Sequence, residues 1–273
     1  MNAVKDNHLK LVLQYDGSAF RGWQMQREER TVQGELEAAL KQLTNARRPV
    51  VGSGRTDRGV HATGQVAVVS VPESWQPDKL KKALSALLPN DIWIESVQPV
   101  SSNFHPRFDA IARTYIYNLG LSESAGFPFE RRWCWPLNTD LNTTLLKEAA
   151  ELLEGKHNFK RFAKSGQPDR GYSCTIQKAH WEPWLDLGLT FRITANRFLH
   201  HMVRYLVGTM VDVAWEKRPL VDIQRLLIGS EHDLRTSPPA PPNGLFLQHV
   251  AYPGKPLHPS KKQTLKPSDK MDS

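Results

Sequence analysis

Gly52-Ser53-Gly54-Arg55-Thr56-Asp57-Arg58-Gly59-Val60-His61-Ala62-Thr63-Gly64-Gln65 lies between two apolar, strand-like runs at residues 49–51 and 66–71. Glycine has no Cβ, so it turns sharply or lets another chain come close. The stretch therefore reads as a tight loop at the mouth of a sheet, with Asp57 between Arg55 and Arg58. A carboxylate beside guanidinium groups stays ionised and oriented, which suits a nucleophile, a base or a structural ion pair. Asp57 stands where a dinucleotide-binding fingerprint needs its third glycine, and no Lys-Ser/Thr pair makes a P-loop.

The flanking sequence places this loop in an α+β unit. Leu9, Leu11, Leu13 and Tyr15 alternate as in a strand, and Thr31 is a candidate N-cap for a helix carrying Val32, Leu36, Ala39, Leu40 and Leu43 at helical spacing. A second helix is expected over residues 77–88 and a strand over 92–97, giving a β-α-β-β-α-β order of the split βαβ kind. The second half repeats the rhythm: a strand at 113–119, a helix at 141–153, a hairpin joining 179–184 to 187–195, a long helix at 198–215, a shorter one at 221–228 and a last strand at 245–250. The proline-rich run 237–244 can only be a loop. These readings divide the chain into an α+β domain at 1–105 that carries the loop, a second at 106–253, and a disordered basic tail at 254–273.

The 273 residues are 40% hydrophobic and 23% charged, as in a soluble globular protein, with no run long enough to span a bilayer. Two cysteines argue against a disulfide scaffold or a Cys-based metal site, so the cytoplasm is the expected compartment. The net charge of +8 points to a polyanionic partner because basic residues cluster with aromatics: Arg21 to Arg30 surround Trp23, and Lys160-Arg161-Phe162-Ala163-Lys164 follows a helix.

Read as a helix from Phe198, the fourth long helical pattern gathers Arg197, His200, His201 and Arg204 on one face, with Asp57 as the natural partner of a buried arginine. His200-His201 is not expected to bind metal: neighbours on a helix point about 100° apart, and no acidic residue or cysteine stands at ligand spacing. Tyr115 and Tyr117 face one side of a strand, where either packs in the core or presents its ring to an unpaired base.

Together these residues resemble the tRNA pseudouridine synthase A family. The loop from Gly54 to Gln65 carries the likeness, in order with Tyr15-Asp16-Gly17-Ser18, Gly22-Trp23-Gln24, Thr31-Val32-Gln33, Phe104-His105-Pro106-Arg107-Phe108, Arg113-Thr114-Tyr115-Ile116-Tyr117, Asn158-Phe159, Ala195-Asn196-Arg197-Phe198-Leu199-His200-His201-Met202-Val203-Arg204 and Gly244-Leu245-Phe246-Leu247. The resemblance implies two α+β domains sharing a mostly antiparallel sheet with flanking helices, and an active site in the central cleft. It makes Asp57 the residue that attacks the target uridine, Tyr115 the ring that stacks on the uracil and Arg204 the partner of Asp57. Arg55 helps hold the flipped nucleotide and Leu245 lines the uracil pocket; Arg58, His61 and Arg107 complete the expected substrate contacts. The implied activity is isomerisation of uridine to pseudouridine at positions 38, 39 and 40 of the tRNA anticodon arm, by a cytoplasmic homodimer without metal or cofactor. Ser85 and Cys174 depart from the family pattern, and on an RNA-facing surface they would bear on substrate choice. A catalytically idle RNA-binding module, or a ribonuclease using His61, His105 or His200 with Asp57, are the competing readings.

Overall fold

Leu9, Leu11 and Leu13 are all buried on the core face of the first strand, β1 (Asp6–Tyr15). The computed structural model describes residues 6–164, 171–229 and 233–254. After β1 comes α1 (Val32–Thr44), capped as expected by the Thr31 side chain, which accepts from the Gly34 amide at 3.2 Å. β2 (Val51–Gly52), β3 (His61–Pro72), α2 (Pro77–Leu87) and β4 (Ile92–Pro99) complete the β-α-β-β-α-β order. β3 begins at His61, not at Val66, so the loop around Asp57 is only residues 53–60.

The second half runs β5 (Ala112–Gly120), β6 (Trp135–Pro136), α3 (Thr143–Glu151), β7 (Gly155–Asn158), β8 (Ser173–Trp184), β9 (Gly188–Ala195), α4 (Met202–Ala214), α5 (Val221–Ile228) and β10 (Leu245–Ala251). The helix expected from Phe198 starts four residues later. His200 and His201 instead form a turn closed by the Met202 amide on the Leu199 carbonyl at 3.1 Å, and His201 sits in the left-handed region at φ 62°, ψ 3°. From Met202 onward α4 is apolar on both sides: Met202, Leu206 and Val213 are buried, and so are Val203, Val207 and Val211. The proline-rich segment runs along α4 at Gly208, where a Cβ would come within 2.1 Å of the Pro238 carbonyl oxygen.

One sheet of ten strands joins both halves in the order β4-β1-β3-β10-β5-β9-β8-β7, with β2 on β3 and β6 on β5. Its ladders are antiparallel except β10 on β3 and β6 on β5. The β10–β3 pairing sets Phe246 opposite His61 and Leu247 opposite Ala62. It therefore brings the strand that follows the Asp57 loop beside the last strand, and β5 lies next on the other side of β10. Cys174 is buried in β8 and so lies away from any surface, whereas Ser85 is exposed on α2. The expected basic tail at 254–273 falls, beyond Gly254, outside the described residues. Among the described residues no helix is long and apolar enough to cross a membrane.

Candidate active site

The loop that carries Asp57 rests on a buried polar network. Ser53 Oγ donates to Gln65 Oε1 at 2.7 Å, Gln65 Nε2 donates to the Gly54 carbonyl at 3.0 Å, and the Ser53 amide donates to the Val66 carbonyl at 2.7 Å. Thr56 Oγ1 lies 2.7 Å from the Tyr15 hydroxyl. Burial pushes the Tyr15 phenol up to about 12, against its bonds to Thr56 and Gln65, so it remains a neutral hydroxyl. Polar groups buried this way hold a loop only when all are paired.

A second segment braces the loop from outside. The Trp23 amide donates to the Thr56 carbonyl at 3.1 Å and the Gly59 amide to the Phe20 carbonyl at 3.3 Å. Gly22 makes this approach possible: at φ 99°, a Cβ there would lie 2.6 Å from the Thr56 carbonyl oxygen and 3.1 Å from the Asp57 carbonyl carbon. Gln33 fixes the same segment, its Oε1 accepting from Gln24 Nε2 at 2.7 Å and from the Met25 amide at 3.0 Å. The sequence blocks around Trp23 and Gln33 are thus scaffold for the loop.

Asp57 is half-buried, and its carboxylate faces two imidazoles: His200 Nε2 is 3.2 Å from Oδ1 and His201 Nε2 is 3.5 Å from Oδ2. Arg204 is elsewhere. Its Nε donates to the Ala240 carbonyl at 2.6 Å, and its own carbonyl accepts from the Ala240 amide at 2.9 Å. Among the described residues the side chains that face the Asp57 carboxylate are therefore the two histidines, and Arg204 does not pair with it. Burial pushes the His201 imidazole below its ordinary value; Asp57 opposes this shift, and His200, Arg204 and Lys164 add to it.

Tyr115 is buried on β5, its ring edge-on to Phe198 with centroids 5.0 Å apart. Burial raises its pKa, the nearby Tyr15 and Asp57 push the same way, and Arg113 opposes them. Tyr117, fully buried, donates its hydroxyl to the Pro241 carbonyl at 2.9 Å. β10 sets Leu247 opposite Tyr115 and Leu245 opposite Tyr117, so Leu245 lies one strand from the tyrosines. Arg55 and Arg58 are exposed on either side of Asp57, and Arg107 is exposed with its guanidinium 5.7 Å from the Phe108 ring centre.

His61 lies in the interior. Its ring stacks on Phe246 at 4.6 Å and meets Trp133 at 5.0 Å, while Nδ1 accepts from the Gly17 amide at 3.0 Å. Burial lowers its pKa, and Asp16 opposes that shift.

One group at the site had no role assigned from the sequence. Arg113 donates to the carbonyls of Ser53 at 3.0 Å, Arg107 at 2.8 Å and Asn196 at 3.2 Å, tying three segments together around the loop. Its place two residues before Tyr115 was the available signal. His200 and His201 stood out as a basic pair, but their convergence on Asp57 depends on the left-handed turn at His201 and is invisible to helical spacing. Asp57, His200 and His201 bring one carboxylate oxygen and two ring nitrogens within 4.8 Å of one another; the carboxylate comes from a distant segment, which spacing along the chain does not show. A separate cavity of about 620 Å³ is lined by Lys160, Arg161, Tyr205, Ile228 and Arg235 among others.

The sequence matches the family profile described as tRNA pseudouridine synthase over residues 11–109 and 149–253. It is 41% identical over 245 residues to a tRNA pseudouridine synthase A of Dictyoglomus thermophilum, covering 89% of this chain and 98% of that protein. It is 40% identical over 255 residues to the protein of the same name from Chlamydia trachomatis serovar A, covering 89% and 92%. A third, from Geobacter sp., is 35% identical over 248 residues, covering 90% and 99%.

Proposed function

The chain belongs to the tRNA pseudouridine synthase family, and we propose that it isomerises uridine to pseudouridine at positions 38, 39 and 40 in the anticodon arm of tRNA, with Asp57 as the essential carboxylate. The observation that carries this reading is the position of Asp57: half-buried, on a loop fixed from both sides, with Arg55 and Arg58 exposed beside it.

Isomerisation breaks the N1–C1′ bond, turns the base and joins C5 to C1′; the proton lost from C5 is matched by one gained at N1. Nothing is imported and no electrons change hands. Asp57 serves each route open to this chemistry: attack at C1′, attack at C6, or removal of the 2′ proton to give a glycal. The base must first leave its stack, which costs a few kcal/mol. Arg55 and Arg58, exposed at the loop, offset that cost through phosphate contacts, with Arg107 and the basic residues Lys160, Arg161 and Arg235 extending the track.

Tyr115 stacks on the flipped uracil. With its pKa raised by burial, the phenol stays protonated in the working range, which favours stacking over action as a base. Leu245, opposite Tyr117, supplies an apolar wall of the pocket. Arg204 acts as a positioning residue: bound to Ala240, it holds the proline-rich segment against Tyr117. His61, buried at 1% exposure, braces the loop from beneath. We further propose that the chain works in the cytoplasm as a homodimer and that its halves, 1–105 and 106–253, act as two domains gripping the RNA across the shared sheet.

Incubating the protein with a uridine-labelled anticodon arm tests the reading. Pseudouridine in intact RNA is the expected result. Shortened RNA would instead mark a ribonuclease, and a gel shift without modification a binding module.

A further inference from the structure

Asp57, His200 and His201 bring one carboxylate and two imidazoles together, with their donor atoms all within 4.8 Å of one another. The two contacts with the carboxylate measure 3.2 and 3.5 Å. Donors that share one tetrahedral ion at about 2.1 Å stand about 3.4 Å apart; the two carboxylate contacts match that spacing, and rotation of the exposed His200 side chain brings the set, now within 4.8 Å, together around an ion. The imidazole rings meet at 64° with centroids 4.3 Å apart, and both Nε2 atoms reach the carboxylate.

That convergence depends on backbone strain. His201 occupies the left-handed region at φ 62°, where a residue with a Cβ is uncommon, and it offers α4 no side-chain cap. In a continuous helix the two side chains would diverge by about 100°; the turn aims both at Asp57. His200 is 55% exposed on its side chain, so an ion can enter and a fourth position stays open to water. Two imidazole nitrogens and one carboxylate suit Zn²⁺ and its borderline neighbours, whereas Mg²⁺ prefers oxygen donors.

We propose that Asp57, His200 and His201 form a binding site for a borderline divalent cation such as Zn²⁺, and that the bound ion reversibly inhibits the enzyme by occupying the carboxylate of Asp57. The binding stands on the geometry alone; the inhibition rests on the proposed role of Asp57.

The test uses the full chain, freed of metal, titrated with Zn²⁺ by calorimetry and with Co²⁺ by visible absorption. One tightly held ion per chain is expected, with four-coordinate Co²⁺ bands. His200→Ala, His201→Ala and Asp57→Asn should each weaken binding at least about tenfold, while His157→Ala, at a half-buried histidine on β7 outside the triad, leaves it unchanged. His200→Gln, checked for fold by circular dichroism, guards against misfolding as the cause. In parallel, Zn²⁺ should suppress pseudouridine formation and a chelator restore it. Absence of binding, or equal binding by the His200→Ala/His201→Ala variant, overturns the site. Binding at the triad with undiminished turnover overturns the inhibition and, with it, the role given to Asp57.

Discussion

The hydroxyls of Tyr15 and Thr56 lie 2.7 Å apart in the interior, joining the first strand to the residue before Asp57. Gln65 Nε2, 3.4 Å from the same Tyr15 hydroxyl, carries that link to the Ser53 side of the loop. Gln65→Ala removes the partner of Ser53 Oγ and of the Gly54 carbonyl. It should destabilise the fold by about 2–4 kcal/mol, since each buried group left unpaired costs about 1–3 kcal/mol. Urea unfolding reads this as a lower midpoint at unchanged slope. A midpoint equal to wild type would show that the network does not hold the loop.

Gly22→Ala should impair both stability and turnover. The new Cβ meets backbone at 2.6 Å and the residue must remain at φ 99°, a strain of about 1–3 kcal/mol. Because the atoms it strikes belong to Thr56 and Asp57, kcat should fall further than in Gly54→Ala, where a Cβ meets nothing within 4 Å. Equal kcat in the two variants would contradict the bracing role of Gly22.

Acid should expose the cost of burying His61. Its pKa is lowered in the fold, chiefly by burial, from an ordinary value of 6.5. Above that value the imidazole is neutral folded or unfolded. As pH falls below it, the unfolded chain takes up a proton that the folded chain resists, so stability declines until the folded value is passed. His61→Asn, which keeps an acceptor for the Gly17 amide, should flatten this acid slope whatever its effect on the stability at neutral pH. Identical slopes in thermal unfolding would contradict the assignment.

Arg55→Ala and Arg58→Ala should each weaken RNA binding and reduce the slope of log affinity against log salt by about 1, the signature of a lost phosphate contact. Lys147→Ala, at an exposed position on α3, serves as the control. A slope unchanged from wild type would remove either arginine from the RNA track.

Much of this architecture is legible in the sequence. Leu9, Leu11 and Leu13 alternate because one face of β1 is buried, and Thr31 marks the start of α1 because its side chain has an orphan amide to satisfy. Other features had no local signal. His61 and Gln65 look like loop residues because they are polar, yet they lie in β3, buried by pairing with β10 and by the Gln65 network. The apolar spacing that runs from Phe198 into α4 conceals the left-handed turn at His201, since periodicity records which residues are buried and not the backbone angle between them. The contact between Arg204 and Ala240 joins segments that only the tertiary fold brings together.

Asp57→Asn tests the central claim most directly. The amide is nearly the same size as the carboxylate but cannot act as a nucleophile or base. With anticodon-arm RNA, the account predicts that the variant binds RNA with little loss and forms no pseudouridine. Turnover within about tenfold of wild type, a difference of only 1.4 kcal/mol in the barrier, would contradict it.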